Sequence, residues 1–99
     1  MLISKFFAEL LGTFVFLSVI ITSVDSHNLF TNSSAWIKIG LALSVSILAF
    51  GMISGGHFNP AVSLMFYANN QLPIEDFIVY VIAQLLGALG AFVYFRMIQ

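Results

Sequence analysis

Residues 55–63 of this chain read Gly-Gly-His-Phe-Asn-Pro-Ala-Val-Ser. These residue types suit hydrogen bonding rather than bond breaking. The Asn59 amide both donates and accepts. Asn is a favoured helix N-cap and Pro suits the first helical position, so a helix is predicted to start at Asn59-Pro60-Ala61. Gly55 and Gly56 permit tight turns and close backbone approach. So folded, the carbonyls of Gly55, Gly56, His57 and Phe58 form a ladder of acceptors. The ladder leads to a helix start whose unpaired N–H groups carry about +0.5 charge. Acceptors along a path and donors at one level favour a small neutral molecule and repel cations and hydronium. Catalytic chemistry is not indicated. The chain has no cysteine and only two histidines, His27 and His57, with no acidic cluster beside them. Paired carboxylates at depth and a Ser–His–acid arrangement are also missing, so neither an enzyme, a metal site nor a cofactor is expected.

The elements that must position this segment follow from composition. Of 99 residues, 61% are hydrophobic and 7% charged, against about 25% charged in soluble domains. So short and apolar a chain cannot cover itself with polar groups, and its partner is the lipid bilayer. The net charge of −1 and the lack of a basic cluster argue against nucleic acid. Apolar runs at about residues 6–24, 36–53 and 77–95 are each long enough to cross a ~30 Å hydrocarbon core as helices. The amino terminus resembles the start of a signal peptide. Glu9 interrupts the apolar run and no clean cleavage site follows, so it reads as a retained span. Residues 25–34 are polar and read as a loop. Trp36 marks an interface, and Lys38 can snorkel to it. Between the second and third spans, residues 54–68 hold a loop and a helix from Pro60 of only ~15 Å, roughly half a membrane. Irregular backbone at that depth is tolerated only where it is buried in protein or lines a hydrated cavity. Asn69 to Pro73 end the short helix, and Glu75 and Asp76 suit the first turn of the next. The fold class is thus all-α: three transmembrane helices and one re-entrant half-helix, in a single unit over residues 1–99.

Three ordered motifs carry a resemblance. Residues 53–62, Ile-Ser-Gly-Gly-His-Phe-Asn-Pro-Ala-Val, are similar to the first signature loop of the aquaporin, or major intrinsic protein, family. Ala8-Glu9-Leu10-Leu11-Gly12-Thr13 in the first span resembles that family too, as does the run from Tyr80 through Gln84 to Gly87-Ala88 in the third. The wording is closest to bacterial water channels and covers essentially the whole chain. The resemblance implies passive water flow through a single-file pore, assembly of pores into a tetramer, and a cell-membrane location with the N-terminus in the cytoplasm. It also implies half of an inverted-repeat bundle. The family's second Asn-Pro-Ala and its filter arginine have no counterpart here, so a second inverted half, in the same chain or a separate one, is needed to complete a pore. Twenty residues before Asn59, where the family usually has a filter aromatic, stands Ile39; Leu43 lies one turn further on the same face. An aliphatic residue there widens the filter and makes glycerol or another small neutral solute the first alternative to water. A non-conducting fragment or structural membrane subunit is the second.

Glu9 is an ionisable group inside a span, a functional candidate by default. The resemblance assigns it, with Gln84, to supporting the re-entrant loop by accepting backbone hydrogen bonds. Lys5 lies one turn before Glu9 on the same face and is a competing partner. For His57 the backbone carbonyl is expected to matter more than the ring. Ala83, Gly87 and Ala91, like Ala8 and Gly12, recur every four residues, a spacing that lets helix backbones approach. Asn32-Ser33-Ser34 matches the glycosylation pattern, which in so bacterial-looking a chain is read as chance. Lys5 lies on one side and Lys38 and Arg96 on the other, so charge does not set the orientation.

Overall fold

In a computed structural model, residues 1–24 and 34–99 are described. They form four helices: α1 (Leu2–Val24), α2 (Ala35–Ser54), α3 (Pro60–Ala68) and α4 (Ile74–Ile98). Among the described residues there is no strand. The polar loop expected at 25–34, with Asn32, lies outside the described residues except for Ser34. At about 1.5 Å rise per residue, α1, α2 and α4 extend roughly 34, 30 and 37 Å. All three are long and apolar enough to cross a membrane. The nine residues of α3 reach only about 13 Å.

The helix ends follow from local chemistry. α2 stops because Gly55 adopts a left-handed conformation (φ 91°) and its N–H caps back onto the Gly51 carbonyl. α3 begins at Asn59, whose backbone is extended and whose side chain accepts a hydrogen bond from Ala61 N at 2.8 Å. It ends where Asn70 turns left-handed (φ 60°), with Gln71 N–H bonded to the Phe66 carbonyl. Pro73 N-caps α4, Glu75 and Asp76 occupy its first turn and Arg96 its last, matching both ends of the macrodipole. α2 begins one residue before its expected span, whereas α1 and α4 begin at Leu2 and Ile74, well before the expected 6 and 77. Their polar first turns are helical, although hydropathy alone excludes them.

α1 lies between α2 and α4 and packs on both, while α3 packs on α4. The contacts are made by small residues: Ala8, Gly12, Ala42, Ala83, Gly87 and Ala91 are all buried. Large apolar side chains point outward, Leu48 84% exposed and Met52 fully so. That inversion of a soluble core is what a lipid solvent permits. Gly87 sets the α1–α4 crossing. A Cβ there would lie 2.7 Å from the Leu10 carbonyl oxygen and 3.1 Å from Phe14 N. Both are backbone atoms, so only a shift of the helices could make room. Gly87→Val should therefore lower stability by at least about 2 kcal/mol, as overpacking does. Unfolding in an SDS titration, followed by far-UV circular dichroism, measures this; an unchanged midpoint would refute the close crossing.

Candidate functional site

The segment singled out by its residue types is held by one carboxylate. Glu9, fully buried on α1, accepts four hydrogen bonds. Its Oε2 takes the Ser54 hydroxyl at 2.6 Å and His57 N–H at 3.0 Å. Its Oε1 takes Phe58 N–H at 2.8 Å and the Gln84 side-chain amide at 2.9 Å. Every partner is a donor, and a carboxylate only accepts, so the inventory closes. Gly56 N–H reaches the same centre indirectly, donating at 3.2 Å to the Ser54 Oγ that itself donates to Glu9. Lys5, the competing partner considered for Glu9, is instead bonded to Asp76 Oδ2 at 3.1 Å, tying the start of α1 to the start of α4.

Three consecutive N–H groups, of residues 56, 57 and 58, are thus turned toward α1. All peptide bonds among the described residues are trans. In a planar trans peptide the N–H of one residue and the C=O of the one before it point in opposite directions. The carbonyls of Gly55, Gly56 and His57 are therefore turned away from Glu9. Among the described residues no donor is bonded to them. Gly55 and Gly56 take positive φ (91° and 69°) without steric cost, and the strain falls on Phe58, a non-glycine at φ 54°. What holds Phe58 there is its ring, buried against Gly12. A Cβ on Gly12 would come within 2.1 Å of a Phe58 ring carbon. The motif glycine of α1 is accordingly the socket of the loop's aromatic residue.

Asn59 and Pro60 sit at mid-height in the bundle. They share a cavity of about 380 Å³ with Thr13, Phe58, Gln84 and Ala88, and Thr13 and Gln84 are near the middles of α1 and α4. With Oδ1 capping α3, the Asn59 NH2 is the amide's free donor. Two polar atoms of residues lining this cavity, Thr13 Oγ1 and Gln84 Oε1, are buried without a hydrogen-bond partner. Ile39 and Leu43 are half-buried on α2. The same α2 face continues to Ile47, whose Cγ1 would lie 3.2 Å from a Cβ on Gly56.

Several residues of the site were not predicted from the sequence. Ser54 links Glu9 to Gly56. Tyr80 donates from its hydroxyl to the Ser54 carbonyl. Ser63 accepts from Gln84 Nε2 at 2.9 Å and lies 2.9 Å from His57 Nδ1. Ser63 then has one hydrogen left to give; given to Nδ1, it leaves the ring proton on Nε2. The His57 ring also stacks on Phe66, centroids 4.7 Å apart, and meets Tyr80 edge-on at 5.0 Å. The ring, from which little was expected, thus pins α3 to the loop. Helical spacing held a signal for Tyr80, one turn before Gln84, and for Ser63, one turn after Asn59. Among the described residues no three His, Cys, Asp or Glu cluster as metal ligands would.

Removing the hub leaves its donors buried and unpaired. Glu9→Ala should cost about 3–5 kcal/mol, the scale for breaking a buried charged interaction. Glu9→Gln, which sets an NH2 against donors, should also destabilise. SDS-titration midpoints equal to the parent for both variants would overturn the role given to Glu9.

The model of the major intrinsic protein family matches residues 1–99. Over 89 residues the chain is 44% identical to glycerol uptake facilitator protein-like 6 of Lactiplantibacillus plantarum, covering 88% of this chain and 40% of the relative. It is 36% identical to nodulin-26 of Glycine max over 93 residues, 90% of this chain and 34% of that one. To aquaporin Z of Brucella melitensis it is 49% identical over 55 residues, 56% of this chain and 24% of the relative. The chain spans well under half the length of these relatives. Three apolar spans, a half-length helix capped by Asn59 and a match along its whole length place this chain in the major intrinsic protein family of membrane channels.

Proposed function

We propose that residues 1–99 form one aquaporin-like half-domain of a channel for passive movement of water. The observation that carries this reading is the polarity of the loop: N–H groups 56–58 tied to Glu9, that of Gly56 through Ser54, and the carbonyls of Gly55, Gly56 and His57 turned to the opposite side with no donor among the described residues. A row of bare acceptors at membrane depth is costly unless hydrated. Water passing along the row supplies the missing hydrogens. The Phe58 carbonyl is the last acceptor of the row. Asn59 then offers its NH2, and Pro60 and Ala61 fix the positive start of α3 beside it. Ile39 and Leu43, with Ile47, form the apolar wall facing the row. A second, inverted half, in this chain's own continuation or in another chain, seats over the cavity at Asn59 and Pro60 and completes the pore. The pores gather as tetramers in the cell membrane, with the chain's N-terminus in the cytoplasm and no cofactor.

A second reading, conduction of glycerol, is favoured by aliphatic Ile39 in place of a bulky filter aromatic. The name of the glycerol uptake facilitator-like relative agrees with it. Stopped-flow light scattering of proteoliposomes in which these residues are reconstituted together with the second, inverted half tests both. Osmotic shrinkage should be faster than in empty vesicles and should return to their rate in Asn59→Leu, with helical content kept. Shrinkage at the empty-vesicle rate in the parent protein would overturn the channel reading in favour of a non-conducting fragment. Glycerol entry, if present, should fall about tenfold relative to water in Ile39→Phe, the scale on which pocket size discriminates.

A further inference from the structure

Two polar rungs join α1 to α4 beside the loop. Lys5 and Glu9 are one turn apart on α1, and Asp76, Tyr80 and Gln84 follow at one-turn intervals on α4. Glu9 is bonded to Gln84 at 2.9 Å, and Lys5 to Asp76 at 3.1 Å. The outer rung adds little to stability by itself. The Lys5 side chain is 35% exposed, so water and salt screen its pair with Asp76. What sets Lys5 apart is the choice open to it. Its flexible stem reaches two carboxylates, Asp76 across the helix crossing and Glu9 one turn along its own helix. A cavity of about 380 Å³ is lined by Lys5 and Asp76 together with Ser54, His57 and Tyr80. Ser54 and His57 are the donors on Glu9 Oε2. The ammonium of Lys5 therefore shares a space with the groups that occupy the buried carboxylate. Those four donors already fill Glu9, so an ammonium arriving there displaces one of them.

We propose that Asp76 is a positioning residue that acts through Lys5: it holds the ammonium off Glu9 and so keeps the carboxylate for the N–H groups of the loop. Without a carboxylate at position 76, Lys5 turns to Glu9, whose burial leaves its charge the less screened. It then takes Oε2 from the His57 N–H, and the carbonyls of the loop lose their fixed direction. The two members of the pair are thus unequal. Asp76 protects the loop, and Lys5 is what it is protected from. An ion pair that merely ties two helices makes its members equivalent. The effect on conduction rests on the channel reading given above; the effect on the loop does not.

Hydrogen–deuterium exchange and osmotic shrinkage, both measured on the protein reconstituted with the second, inverted half, test this. Asp76→Asn should speed exchange of the amides of residues 57 and 58 about tenfold, the scale of one charged hydrogen bond, and should slow shrinkage. Asp76→Glu should match the parent. Lys5→Met should leave both readouts near the parent values, and adding it to Asp76→Asn should restore them. Equal loosening by Lys5→Met and Asp76→Asn, with no recovery when the two are combined, would overturn the proposal and leave the pair a tie between helices. So would parent-like exchange in Asp76→Asn. If exchange follows the expected pattern while every variant shrinks at the empty-vesicle rate, the channel reading fails and the role of Asp76 stands.

Discussion

A carboxylate in hydrocarbon is tolerated only if every lone pair that water would have served is served by the protein. Glu9 meets that condition by gathering donors from three parts of the chain: Ser54 at the end of α2, two N–H groups of the loop, and Gln84 from α4. Glu9 and Gln84 are far in sequence from the loop, which Ser54 directly precedes. The requirement is mutual. The loop's N–H groups have no helix or sheet to serve them, and without Glu9 they would face an apolar surround. One unfavourable burial is thus cancelled by another, and the product is a fixed irregular backbone where regular structure is otherwise obligatory.

Once the N–H groups are committed, planarity of the peptide bond leaves the carbonyls no choice of direction. Strain at Phe58 is contained because its ring has a socket that only a glycine at position 12 provides. A second layer steadies the first. Tyr80 holds the Ser54 carbonyl, and His57 and Gln84 meet at Ser63, which fixes the start of α3 relative to the loop. The direction of three carbonyls therefore rests on side chains that never reach the opposite side.

Much of this was legible in the sequence. Three long apolar runs, the Asn-Pro start, the left-handed opportunity at Gly55-Gly56 and the small-residue spacing of α4 each have a local physical signature. Glu9 and Gln84 stood out because polar groups are rare within spans. Ser54, Ser63 and Tyr80 did not, since serine and tyrosine are unremarkable on a helix until the neighbouring backbone is known. The Lys5–Asp76 pair was not readable either: α1 offered Lys5 a carboxylate one turn away, and only the fold brings α4 closer. The first turns of α1 and α4 were trimmed because hydropathy marks where lipid begins and not where a helix does.

The order of these contacts along the chain has a consequence for biogenesis. Glu9 emerges from the ribosome long before the loop, but Tyr80 and Gln84 emerge after it. When residues 55–59 first leave the ribosome, one of the donors that completes the carboxylate's shell and the hydroxyl that steadies Ser54 have yet to be made. The two early helices can insert with their acceptor unsaturated and water still present. Arrival of α4 supplies the Gln84 amide and the Tyr80 hydroxyl, so a helix translated after the loop acts as its bolt.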